Sequence, residues 1–96
     1  LWKFCQGNNH YRDKTTFIIS TDHGRGTNPI ENWKSHGKDV AGSDETWLII
    51  FGKNVKAKGE VSNNQIYNNQ IAPLVRQLMN LPQKYGSGHG KSLSLE

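Results

Sequence analysis

The sequence predicts an α/β protein, and three observations support that fold class. Two short runs, residues 15–20 and 46–51, have the β-branched and aromatic composition of strands. Between residues 70 and 79, apolar side chains recur at the spacing of one helix face. The order of helix end, strand, long loop, strand and helix is typical of a sheet covered by helices.

The first element is the end of an amphipathic helix. Leu1, Trp2, Phe4 and Cys5 supply its apolar residues, and Gly7 followed by asparagines supplies a helix-ending signal. Because the chain opens inside this helix, we expect it to be part of a larger protein.

The two strands have apolar cores that are continuous rather than alternating. The first run stops at Asp22-His23-Gly24 and the second at Gly52. A continuous pattern is typical of strands buried on both faces, as in a parallel sheet covered by helices. We therefore expect the large side chains of the second strand, Trp47 and Phe51, to lie in the core.

Three polar segments flank the strands and the last helix. Residues 24–43 predict a long irregular loop with Trp33 as its one aromatic residue, and residues 54–61 predict an edge hairpin or an extended loop. Residues 83–96 are rich in Gly and Ser and predict a flexible tail, whose Leu95-Glu96 end resembles an expression-vector remnant.

The second helix is predicted by a repeating apolar pattern. Ile71, Leu74, Val75 and Leu78 follow the i, i+3, i+4, i+7 spacing. Pro73 falls in the first turn, where its missing amide hydrogen does no harm.

Composition limits the classes of function. With 96 residues and 33% hydrophobic residues, the chain has material for one domain with a thin core. A single cysteine, Cys5, excludes an internal disulfide and a cysteine-based zinc site. No apolar run approaches the roughly 20 residues of a membrane-spanning helix, so we expect no span in this chain.

The net charge of +4 is compatible with anionic partners. Only Lys53, Lys56 and Lys58 lie close together, and a solvated loop explains such a group more often than a binding groove does. Because a nucleic-acid surface needs clustered cations with interleaved aromatic residues, we expect no nucleic-acid partner.

Asp22 and His23 are the candidate metal ligands. An Asp-His pair directly after a strand lies where open α/β sheets bind their ligands. Once the strand ends, a carboxylate oxygen and an imidazole nitrogen can converge on one cation, and that donor pair suits Zn²⁺ or Mn²⁺. By themselves, however, Asp, His and Gly are also ordinary turn residues.

The order of the surrounding motifs resembles the closing part of alkaline phosphatase superfamily enzymes, which include sulfatases, type I phosphodiesterases and phosphoglycerate mutase-like proteins. The resemblance covers residues 1–81. Its motifs are residues 16–26, containing Thr-Asp-His-Gly-Arg-Gly, then His36-Gly37, the strand at residues 47–52, and Ile66-Tyr67 with Gln70-Ile71-Ala72-Pro73.

The resemblance implies a fold and a set of ligands. Residues 1–82 would be the C-terminal portion of an alkaline-phosphatase-like three-layer α/β/α sandwich with a mainly parallel sheet. Asp22 and His23 would bind one of two divalent metal ions, Zn or Mn, and His36 would bind the other. Gln70 and Leu74 stand where the family commonly has Asp and Thr, which removes a helix cap but no ligand.

The resemblance also implies an activity. The whole protein would hydrolyse a small phosphate or sulfate ester, with a nucleophile and further ligands supplied by the rest of the parent domain. This chain would hold no catalytic nucleophile and would be inactive alone. Arg25 would contact the anionic substrate, although a solvent-facing loop arginine is the simpler interpretation.

Three alternatives remain. The first is a nucleophilic hydroxyl, from Ser20, Thr21 or Ser35, with a histidine, His23 or His36, as its base. The sequence lacks the glycine-flanked serine turn that such sites use. A non-catalytic module would bind an anionic polymer through Lys53, Lys56, Lys58 and Trp33. The chain would otherwise be an inert piece of its parent.

Overall fold

A computed structural model describes residues 1–62 and 64–95 of the protein. Two short α-helices, α1 at Trp2–Gln6 and α2 at Ile71–Leu78, lie near the two ends of the chain. Two strands, β1 at Thr16–Ser20 and β2 at Leu48–Gly52, lie between them. Short 3₁₀ helices are formed by Ile30–Lys34 and by Asn68–Gln70.

The two strands pair with each other in an antiparallel sheet. The amide of Lys53 donates to the carbonyl of Thr15 (3.0 Å), and the Thr16 hydroxyl donates to the carbonyl of Lys53 (2.7 Å). This register, continued along both strands, places Ile19 opposite Ile49. The prediction that both runs form strands of one sheet is therefore confirmed.

The predicted three-layer α/β/α sandwich with a mainly parallel sheet is wrong. The sheet has two antiparallel strands among the described residues, with few helices around it. Parallel neighbours need a crossover, usually a helix, on one face of the sheet. The connection here, residues 21–47, contains only one 3₁₀ helix and folds back so that β2 runs against β1.

The exposure of the strands shows that the burial on both faces predicted from their continuous apolar pattern is wrong. Ile19 and Ile49 are 46% and 49% exposed, so their face of the sheet is open at that end. Trp47, expected in the core, is 51% exposed, whereas Phe51 is half-buried. A run of apolar residues predicts a strand but does not reveal how many of its faces are covered.

The chain divides into two units: Leu1–Thr16 with Phe51–Glu96 form the first, and Phe17–Ile50 form the second. In the first unit, Cys5 of α1 and Leu74 of α2 are buried. The rings of Trp2 and Phe51 pack 5.7 Å apart. In the second unit, Phe17 of β1 is buried. Besides these three side chains and Pro73, no apolar side chain is buried in the part of the chain that the structure describes, as expected for a thin core.

Both predicted helices are present. Helix α1 ends at Gly7, whose amide donates to the Lys3 carbonyl (2.9 Å). In α2, Pro73 lies in the first turn and is buried beside Leu74. Residues 53–62, between β2 and α2, form the extended loop alternative rather than a hairpin.

The segment predicted to be a flexible tail makes several hydrogen bonds within the first unit. They join residues 90–95 to the loop after β2, to the second 3₁₀ helix and to α2. The donor and acceptor pairs are Gly90 N with Asn69 O (3.2 Å), Gln70 Nε2 with Lys91 O (3.0 Å), Lys56 N with Leu95 O (3.4 Å), and Ser92 Oγ with Gln77 Oε1. Glu96, predicted to be part of a vector remnant, lies outside the described residues.

None of the helices within residues 1–62 and 64–95 has the length and apolar character needed to cross a membrane.

Candidate metal centre

Asp22 and His23 follow the last residue of β1, as the sequence predicts. The Asp22 side chain is 88% exposed, whereas the His23 side chain is 31% exposed. The Asp22 carboxylate accepts a hydrogen bond from the His23 amide (2.9 Å), and the same oxygen lies 3.6 Å from His23 Nε2. The carboxylate is therefore held beside the imidazole of the next residue.

A hydrogen bond fixes the orientation of the His23 ring. His23 Nδ1 lies 2.6 Å from the carbonyl oxygen of Gly24. Since a carbonyl can only accept, Nδ1 must carry the proton, and in the neutral ring the lone pair is then on Nε2. Metal-binding histidines commonly donate their second ring nitrogen to a carbonyl in this way.

The structure brings His36 to His23. The two imidazole rings are stacked, with centroids 3.8 Å apart and planes inclined by 19°. His36 is exposed and His23 is half-buried, so the stack faces solvent on the His36 side.

The loop between the strands returns His36 to this position through backbone hydrogen bonds. The amides of Gly24, Gly26 and Thr27 donate to the carbonyls of Ser43 (2.8 Å), Ser35 (3.0 Å) and Ala41 (3.1 Å), respectively. These bonds join the start of the loop to its later half, on either side of His36. The loop has little apolar content, so backbone pairing supplies most of its order.

A cleft of about 510 Å³ opens beside the stacked rings. Its charged lining residues, Lys38, Asp39 and Asp44, were not singled out from the sequence. No local pattern marks them, because they reach the cleft through the same loop geometry that returns His36.

The Asp22 and His23 donor atoms have a spacing that suits one metal ion. Ligands that each lie about 2.1 Å from a tetrahedral zinc ion are about 3.4 Å apart, close to the 3.6 Å between Asp22 Oδ1 and His23 Nε2.

The cluster does not complete a metal site by itself. Among residues 1–62 and 64–95, no group of three or more His, Cys, Asp or Glu side chains is arranged to hold a metal ion. A metal ion bound to Asp22, His23 or His36 would therefore need further ligands from water or another polypeptide segment.

The remaining candidates lie outside this cluster. Arg25 is exposed, and its Nη1 is 3.4 Å from the Trp33 carbonyl, so the guanidinium contacts its own loop. Trp33 is 56% exposed and carries Lys34 Nζ at 5.6 Å from its ring centroid. Ser20 Oγ donates to the Thr21 carbonyl (3.0 Å) rather than to a histidine.

The three clustered lysines and the two remaining histidines face solvent. Lys53, Lys56 and Lys58 are exposed, as are His10 and His89.

Comparison of the chain with family models, curated proteins and solved structures finds no match.

Proposed function

We propose that this chain contributes metal ligands to a two-metal hydrolase that acts on phosphate or sulfate esters. The observation that carries the proposal is the stack of His23 on His36, beside the Asp22 carboxylate. The order of motifs around these residues, which resembles that of alkaline phosphatase superfamily enzymes, supports the same activity. The three-layer sandwich is no part of this proposal.

The proposed roles follow from the donor atoms. Asp22 Oδ1 and His23 Nε2 would hold one divalent ion, Zn or Mn, while His36 would hold a second. When bound, such ions stabilise the charged oxygens of an ester undergoing displacement at phosphorus or sulfur. The chain's own contribution is to hold the His23 ring in one tautomer through Gly24 and to keep both rings at the mouth of the cleft.

Zinc titration of the 96-residue chain tests the ligand assignment. We expect Zn²⁺ to perturb the imidazole NMR signals of His23 and His36 but not those of His10 and His89. His23→Ala and His36→Ala should each weaken zinc binding at least tenfold, because each removes a ligand. His89→Ala is the matched control and should bind zinc like the original chain. Equal zinc affinity in all these variants would contradict the assignment.

Anion binding tests the ester class separately. Inorganic phosphate or sulfate should bind the zinc-loaded chain more tightly than the metal-free chain, and His23→Ala should abolish that difference. Because the chain is proposed to lack a nucleophile, it should not turn over 4-nitrophenyl phosphate or 4-nitrophenyl sulfate. If zinc binds but neither anion does, the metal assignment stands and the hydrolase proposal is wrong.

The alternative function, an anion-binding module using Lys53, Lys56, Lys58 and Trp33, makes the opposite prediction. Its affinity for heparin would fall steeply with salt and would be unaffected by a chelator. The exposed lysines lie in the first unit and Trp33 in the second. The ring stack and its neighbouring carboxylate have no role in such a module, which is why we favour the metal proposal.

A further inference from the structure

We infer that Ser43 is a positioning residue that holds His36 against His23. The inference deepens the proposed function and rests on it, because the position of His36 matters for function if His36 binds metal. The contact between the His23 and His36 rings can be tested without metal. Ser43 was not singled out from the sequence, and it lies seven positions beyond His36 along the chain.

Ser43 contacts the backbone directly after each histidine. Its carbonyl accepts the hydrogen bond from the amide of Gly24, the residue after His23 (2.8 Å). Its hydroxyl is within hydrogen-bonding distance of the carbonyl of Gly37, the residue after His36. One residue therefore bonds to the backbone directly after both of the stacked histidines.

The hydroxyl of Ser43 also closes the turn that follows His36. Ser43 Oγ lies 2.6 Å from the carbonyl oxygen of Val40, and the Ser43 amide donates to the same carbonyl (3.1 Å). A hydroxyl has one proton, so it is shared between the Gly37 and Val40 carbonyls. The bond to the Val40 carbonyl is partly buried, whereas the bond to the Gly37 carbonyl is exposed.

The backbone is closely packed at Gly24, the residue after His23 to which Ser43 is bonded. A Cβ at Gly24 would overlap the carbonyl oxygens of Gly42 and Glu45, so the strand end and residues 42–45 are in direct backbone contact. Movement of Ser43 relative to His23 is therefore restricted. On the His36 side, the Ser35 carbonyl accepts from the Gly26 amide (3.0 Å), and the Gly37 carbonyl accepts from the Val40 amide (3.1 Å) and from the Ser43 hydroxyl. The Ser43 hydroxyl is thus the side-chain bond that links Ser43 to the residue after His36.

Ser43→Ala isolates the hydroxyl, because the bonds made by the Ser43 amide and carbonyl are retained. We expect the Gly37 carbonyl to lose its bond to Ser43 while keeping the bond from the Val40 amide (3.1 Å), and the His36 ring to leave the stack. Zinc affinity should then fall about tenfold, as it does when residues that orient metal ligands are removed. Ser43→Thr keeps a hydroxyl at the same position and should restore both properties.

Ser35→Ala is the matched control. Ser35 directly precedes His36, lies in the same unit and is exposed, and its hydroxyl makes no hydrogen bond in the described part of the chain. Its amide and carbonyl bonds, to Asn32 and from Gly26, do not depend on the side chain. A loss seen in Ser43→Ala but not in Ser35→Ala would therefore belong to the Ser43 hydroxyl.

The decisive measurement is the nuclear Overhauser effect between the ring protons of His23 and His36 in the metal-free chain. We expect it in the original chain, in Ser43→Thr and in Ser35→Ala, and we expect its loss in Ser43→Ala with the cross-strand effects between β1 and β2 unchanged. A ring contact that persists in Ser43→Ala, or that is absent from the original chain, would overturn the inference. Loss of the cross-strand effects together with the ring contact would overturn it too, because Ser43 would then only stabilise the unit.

Zinc binding separates this inference from the proposed function. If the original chain shows the ring contact but binds no zinc, the proposed function is wrong. The presence or loss of the ring contact in Ser43→Ala then decides whether Ser43 positions His36. If zinc binds equally to Ser43→Ala and to the original chain, the positioning role is wrong and the metal assignment stands.

Discussion

Gly24 and Gly26, in the loop of residues 24–45 of the second unit, have a different environment from Gly86 and Gly88, in the segment of residues 86–91 of the first unit. A Cβ at Gly24 or Gly26 would overlap backbone atoms of the same loop. A Cβ at Gly86 or Gly88 would meet no atom within 4 Å. Glycine therefore allows close backbone approach at the first pair and a left-handed turn at the second.

The hydrogen bonds at these two pairs of glycines differ in the same way. The amides of Gly24 and Gly26 donate across the loop, to residues nine or more positions away, namely Ser43 and Ser35. Around Gly86 and Gly88 the bond is a local one, from the His89 amide to the Gly86 carbonyl (3.2 Å), and the long-range bond of the segment begins at Gly90, whose amide donates to Asn69 (3.2 Å). The loop that carries His36 is thus ordered by long-range backbone pairing, which a site with two imidazoles at 3.8 Å requires.

The largest effect is expected for Gly24→Ala. The new methyl group would collide with the carbonyl oxygens of Gly42 and Glu45, which are backbone atoms and cannot rotate away. Overpacking of this kind costs about 3 kcal/mol of unfolding free energy when the backbone must move. Urea unfolding followed by far-UV circular dichroism would measure it, and the contact between the His23 and His36 rings should be lost. An unfolding free energy unchanged by Gly24→Ala would show that the backbone approach is looser than described.

The parts of the molecule that depend on local sequence patterns were predictable, and those that depend on long-range pairing were not. Helix α2 was predictable because the spacing of Ile71, Leu74 and Leu78 is a local pattern that one face of a helix imposes. Strands β1 and β2 were predictable within two residues for the same reason. Their antiparallel direction and the exposure of Ile19 and Ile49 were not, because these depend on where a long irregular loop returns and on what covers the sheet.

The candidate site was predictable to the same extent. Asp22 and His23 were found because a strand end is marked locally by the change from apolar to polar residues. The proximity of His36 was expected only from the motif order, since no local signal carries the pairing of Gly24 with Ser43. Ser43 could not be predicted, because a serine in a loop is ordinary. Its proposed role depends on bonds to Gly24 and to the carbonyls of Gly37 and Val40, and Gly24 is distant from these two residues in the sequence.

An intermediate effect is expected for Gln70→Ala in the first unit. The Gln70 side chain accepts from the Tyr67 amide (2.7 Å) and donates to the Lys91 carbonyl (3.0 Å), so it joins the start of α2 to the glycine-rich segment. Loss of two largely solvent-accessible hydrogen bonds should cost about 1 kcal/mol.

Amide hydrogen exchange would locate the effect of Gln70→Ala. We expect faster exchange at residues 90–92, and urea unfolding would give the change in stability. Gln65→Ala is the control, because the hydrogen bond described for the Gln65 side chain is a local one, to the carbonyl of the next residue, Ile66 (3.2 Å). Equal changes in the two variants would mean that Gln70 does not hold the segment.

The smallest effect is expected for Gly88→Asn in the open segment. Gly88 has a φ of 83°, a conformation that asparagine tolerates better than other non-glycine residues, and a new side chain there meets no atom within 4 Å. The unfolding free energy should therefore change by no more than about 0.5 kcal/mol, the usual range for surface substitutions without a special constraint. Urea unfolding beside Gly24→Ala makes the test direct, because both variants replace a loop glycine. If Gly88→Asn were as destabilising as Gly24→Ala, backbone conformation rather than close packing would set the cost at both glycines, and the contrast between the two regions would be wrong.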